Sequence, residues 1–146
     1  MIMRSVISEG SVMDMMVVQD EFAQVVMADC PDGDWERIVA DVEILEEESG
    51  YRINTASFAV VLEDGDKLTK ENFTLSQEAR DAAIEVYRER LENSGDKIGS
   101  FGLEIDKGGK YRLKISYDAP ERLNFILDGE KMERLNNYLA TYQRTE

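Results

Sequence analysis

Apolar residues recur at helical spacing between Ser11 and Asp29, where Val12, Met15, Val18, Phe22, Val25 and Val26 share one face. Pro31 and the following Asp32-Gly33-Asp34 stop that helix and open a turn. From Trp35 the period falls to two. Ile38, Ala40, Val42 and Ile44 alternate with Arg37, Asp41 and Glu43, which predicts a half-buried strand. The polar run Glu46-Glu47-Glu48-Ser49-Gly50 predicts a hairpin loop. A second strand follows, with Ala56, Phe58, Val60 and Leu62 on one face, and Glu63-Asp64-Gly65-Asp66 turns the chain again. A register with Val42 opposite Phe58 keeps the two apolar faces together and sets Glu48 across from Arg52.

Thr74 and Gln77 form a capping box for a second helix over 75–94. Its inner stripe is Ala79, Ala83, Val86, Tyr87 and Leu91, and Gly95 stands where a left-handed C-terminal cap is wanted. A second hairpin then pairs Ile105 with Tyr111 and Leu103 with Leu113 around Lys107-Gly108-Gly109, which puts Phe101 and Ile115 on the same face. After Pro120, the run Leu123-Asn124-Phe125-Ile126-Leu127 reads either as a short strand or as an extended tether. Asp128 caps a last helix with Met132, Leu135, Leu139 and Tyr142 on one side. The predicted fold is α+β: one domain over 11–146, with an antiparallel sheet of two hairpins packed with helices in the order α-β-β-α-β-β-α, after a disordered stretch 1–10.

Charge changes the picture more than hydropathy does. The chain of 146 residues carries 31 Asp plus Glu, 17 Lys plus Arg and no histidine, a formal net charge of −14. Residues 1–66 hold 16 acids against 3 bases, while residues 67–146 hold 15 against 14, so the acidity is local. Without histidine there is no Ser–His–Asp triad, no Cys–His pair and no imidazole metal ligand. The single cysteine, Cys30, allows neither an internal disulfide nor a cysteine-based zinc site, and nothing beside it activates the thiol. Strong acidity opposes nucleic acid or an anionic membrane as direct partner. With no membrane span and no secretory signal in the sequence pattern, a cytoplasmic protein is expected.

The recognisable chemical motifs reduce to structure. Asp32-Gly33-Asp34 and Glu63-Asp64-Gly65-Asp66 lack the spacing of a calcium loop, and Asp-Gly is ordinary turn vocabulary. Gly108-Gly109-Lys110 precedes a strand, not the helix that a phosphate loop requires. Lys110, Arg112 and Lys114 alternate on the polar side of their strand, a surface suited at most to an acidic element. Asn72-Phe73-Thr74 has the glycosylation pattern, which matters only in a secreted eukaryotic protein. Of Val12-Met13-Asp14-Met15-Met16, Met15 belongs to the core and the others can furnish an adaptable partner-binding face. Neither a metal nor a cofactor is expected.

Several short segments occur in an order that carries a resemblance. These are Trp35-Glu36-Arg37-Ile38-Val39 and Val42-Glu43-Ile44, then Tyr87-Arg88-Glu89-Arg90-Leu91 with Gly95, Phe101-Gly102-Leu103-Glu104-Ile105, Gly109-Lys110-Tyr111 and Ile115-Ser116-Tyr117-Asp118. Over about residues 12–142 this order resembles the YezG-like family of bacterial immunity proteins, antitoxins of polymorphic and contact-dependent toxin systems. The resemblance implies a non-enzymatic role: binding a cognate toxin domain and covering its active site. The expected partner is basic, of the nuclease class and bound about equimolar, with a homodimer left open. Charge and position alone nominate the contact residues: Asp41, Glu43, Glu46, Glu47, Glu48, Glu63, Asp64 and Asp66. The alternative is a type III secretion chaperone, similar in size, acidity and element order, which would hold an extended effector segment in apolar grooves.

Overall fold

The computed structural model describes residues 4–95 and 97–142, with side chains from residue 14 onward. Helix α1 runs Arg4–Asp29, so the backbone is helical well before the periodicity begins at Ser11; residues 1–3 of the expected disordered stretch lie outside the described residues. Strands β1 (Trp35–Glu47), β2 (Gly50–Glu63) and β3 (Lys67–Phe73) follow, then α2 (Gln77–Ser94), β4 (Ser100–Asp106) and β5 (Tyr111–Ser116). A 3-10 turn at Arg122–Asn124 leads to α3 (Glu130–Asn136) and α4 (Tyr138–Thr141). The five strands form one antiparallel sheet in the order β3-β2-β1-β4-β5. The α+β architecture is therefore as expected, with a third strand added to the first hairpin. Lys67–Phe73 is an edge strand of mixed charge without a continuous apolar face, so its sequence carries no strand alternation.

The second hairpin has the expected register, with Ile105 opposite Tyr111 and Leu103 opposite Leu113. Its turn is closed by Gly109 at φ 94°, a left-handed conformation that glycine adopts without steric cost. The first hairpin differs. Val42 pairs with Thr55, and Phe58 pairs with Val39. The strands run on through the predicted loop until only Glu48 and Ser49 separate Glu47 from Gly50, and Arg52 forms its ion pair with Glu47 at 3.0 Å instead of with Glu48. The odd shift sends Phe58 and Val60 to the opposite face from Val42. Both faces of β1 are covered, which is why an apolar-in, polar-out rule misplaces its neighbour.

On the inner face, α1 and α2 pack Phe22, Val26, Ala79, Ala83 and Val86 against Ile38, Ala40, Val42 and Ile44 of β1 and against β4. Phe22 meets Phe101 edge-on at 5.6 Å between ring centres. The cap of α2 is Ser76, not Thr74: its Oγ accepts the N–H of Ala79, while its own N–H and O–H donate to Asp29 at the end of α1. Gly95 closes the helix at φ 78°, as its position predicted. On the outer face, Leu135, Tyr138, Leu139 and Tyr142 cover Val39, Phe58 and Val60. Asp128 caps nothing there; Gly129 occupies the N-cap position of α3, and the expected single helix is broken at Asn137. The apolar run before it is neither strand nor extended tether. After the 3-10 turn Phe125 takes a left-handed conformation (φ 66°) and stands 83% exposed.

Candidate functional site

The eight carboxylates nominated from the sequence fall in three places. Asp41 and Glu43 are buried, a correction to their expected position on a solvated strand face. The cause is the C-terminal segment folded over the outer side of β1. Arg122 Nη2 lies 3.0 Å from Asp41 Oδ1, Lys131 Nζ lies 3.2 Å from Glu43 Oε2, and the N–H of Leu123 donates to Glu43 Oε1. Arg122 Nε also donates to Asn54 Oδ1 at 2.6 Å. Asp41 Oδ1 has ion-pair contacts but no aligned hydrogen bond, so charge holds it. Two acids and two bases balance, and the cluster clasps the C-terminal segment to the sheet.

The remaining six separate to opposite ends of β2. Glu46, Glu47 and Glu48 adjoin the β1–β2 turn, where Glu46 accepts the Tyr87 hydroxyl at 3.2 Å; burial and that carboxylate push Tyr87 up to about 12. Glu63, Asp64 and Asp66 adjoin the β2–β3 turn. With about 3.3 Å per strand residue the two groups stand roughly 40 Å apart along a strand of 14 residues. They are exposed and stand at opposite ends of β2.

Two grooves stand out among the described residues. The larger, about 690 Å³, lies between the outer face of β1, β4 and β5 and the helices α3 and α4. Gly102, paired with Asp41 across the strands, leaves that part of the wall without a side chain. Its charges cancel: Asp41, Glu104, Glu130 and Glu133 face Arg112, Lys114, Lys131 and Arg134. Burial alone would raise the Glu104 carboxyl, yet the hydroxyl of Tyr138 and the Arg112 guanidinium hold it below the usual range. The neighbouring Asp106 is held down by Arg112 and Arg37.

The second groove, about 640 Å³, runs between α1 and α2. Asp20 and Glu21 form one wall, and Glu78, Asp81 and Glu85 the other. Among the described residues, no lysine or arginine lines it. Val17, Val25 and Ala82 give it an apolar floor. Three of the five acids have local partners: Asp20 accepts the Tyr111 hydroxyl, Asp81 accepts from Gln77, and Glu85 pairs with Arg88 at 3.1 Å. Only the last of these is a cation, so the groove stays strongly negative. The sequence did carry the signal. Glu78, Asp81 and Glu85 recur at three- and four-residue spacing around Ala82, as Val17, Glu21 and Val25 do on α1.

The chain matches no family model and no curated protein. Its chemistry must therefore be read from the residues themselves. Among the described residues, no group of three or more carboxylate or thiol side chains is arranged to hold a metal ion. Burial pushes the Cys30 thiol up to about 11, with Glu71 and Asp32 adding to the effect, which leaves it a poor nucleophile. Among the described residues, no helix is long and apolar enough to cross a membrane.

Proposed function

We propose that this chain is a non-catalytic binding protein of the bacterial cytoplasm that neutralises a basic protein partner, as an immunity protein does a toxin. The observation that carries the reading is the α1–α2 groove, with five carboxylates, an apolar floor and, among the described residues, no lining cation. Like charges at Asp81 and Glu85, one helical turn apart, weaken α2 in isolation, so the arrangement is costly for folding alone. A cationic partner turns that cost into attraction. The field of a strongly acidic domain also steers such a partner before contact, an effect that salt screens over about 8 Å at physiological ionic strength. The turn acids Glu46–Glu48 and Glu63–Asp66 extend the field without forming the contact. A basic nuclease, built to accept phosphates, is the class of toxin best matched to such a surface.

The test is co-expression with the product of the neighbouring gene. An immunity role predicts protection of growth and an about equimolar complex of two globular proteins that weakens as salt rises. The secretion-chaperone reading is favoured by one specific feature, the exposed Phe125, Ile126 and Leu127. It predicts a dimer carrying a non-globular effector segment.

A further inference from the structure

The α1–α2 groove also defines the shape of what fills it. We infer that its occupant is a basic amphipathic helix of the partner, laid in the groove over α1 and α2; this rests on the basic-partner reading above. The two helices run antiparallel, since Asp29 at the end of α1 meets Ser76 at the start of α2. Their backbone N–H and C=O groups are used within the helices, so the groove offers no strand edge. An extended segment entering it would leave its own backbone groups without partners, whereas a helix brings its hydrogen bonds with it.

The apolar positions match that choice. Val17 and Val25 are about two turns apart on α1, roughly 12 Å, and Ala82 faces the same groove from α2. A partner helix with apolar side chains at i, i+3 or i+4, and i+7 meets this floor. Lysine or arginine on its flanks reaches Glu21 on one wall and Glu78 on the other while their stems cover the floor. Val17 is 52% exposed and the adjacent Met16 is 56% exposed, an apolar pair on the solvent side of α1 where an adaptable contact is expected.

Three synthetic peptides with the same number of lysines test the inference by fluorescence anisotropy, the first two about 18 residues long (roughly 27 Å as a helix) and the third shorter. They are an amphipathic Lys/Leu helix, the same residues scrambled to destroy helical periodicity, and an oligolysine. The expected result is binding of the amphipathic peptide roughly tenfold tighter than either control. It should gain helicity on binding, with NMR shifts concentrated at Val17, Val25 and Ala82. Val17→Ser should weaken it about fivefold, a change of roughly 1 kcal/mol, with an unchanged melting temperature. Equal binding of the amphipathic and scrambled peptides overturns the helix while sparing the basic-partner reading. Absence of binding by all three overturns both. Should Val17→Ser unfold the chain, the NMR map on the unmodified protein decides by itself.

Discussion

Glu43, at the centre of β1, accepts the main-chain N–H of Leu123 at 3.0 Å, a residue 80 positions further along the chain. Through this bond and the ion pairs beside it, the C-terminal segment is fixed over the outer face of the sheet. Two carboxylates that look like solvated strand residues in the sequence are therefore structural charges.

Removing one of them should expose the cost of the others. Glu43→Ala leaves Arg122 and Lys131 short of a buried counter-charge, and a loss of about 3–5 kcal/mol is expected in urea denaturation. Replacing Asp41, Glu43, Arg122 and Lys131 together with apolar residues of similar volume should be neutral or stabilising. A single substitution that costs nothing shows that water reaches the cluster and that it does not clasp the segment.

Ser76 joins two helices at one point, capping α2 and donating to Asp29 of α1. Ser76→Ala should cost about 1 kcal/mol from the cap, with a further loss from the Asp29 contact. In Asp29→Ala the cap remains, so a smaller fall in melting temperature is expected. Thr74→Ala, at the position the capping box would suggest, should leave stability unchanged.

Acid should weaken the fold through Glu104 and Asp106. Both are held below their ordinary ranges, Glu104 by Tyr138 and Arg112 against the effect of burial, and Asp106 by Arg112 and Arg37. A carboxyl with a depressed pKa in the fold binds protons less readily than in the unfolded chain. Its stabilisation is therefore present above the unfolded value, near pH 4, and is lost as pH falls through the folded value. Arg112→Leu should destabilise at neutral pH and converge with the parent protein in strong acid. The effect should be modest because Arg112 is partly exposed. Parallel pH curves for the two proteins contradict the assignment.

What the sequence made legible was local. The turn residues around Gly109 and the equal spacing on either side fixed the second hairpin, and the stripe Ala79, Ala83, Val86, Tyr87 fixed the buried face of α2. The first hairpin escaped because apolar residues occupy both faces: Val42 packs inward while Val39, Phe58 and Val60 pack under the C-terminal helices. Alternation cannot set register where each parity is apolar somewhere. The burial of Asp41 and Glu43 depends on Arg122 and Lys131, remote in sequence, and nothing near β1 announces them. The acidic groove was half legible. Each helix carries its acids at helical spacing, but only the antiparallel packing of α1 on α2 brings the two walls together.

The central claim, that the α1–α2 groove receives a basic partner, is tested most directly by association kinetics across a salt series. The parent protein and the Glu78→Lys, Asp81→Lys, Glu85→Lys variant would be compared against the protein that co-purifies with the chain on co-expression. The parent's association rate should fall steeply from about 0.05 to about 0.5 M salt, while the variant should associate slowly at low salt with little salt dependence. Equal rates and equal salt slopes for the two proteins would contradict the account.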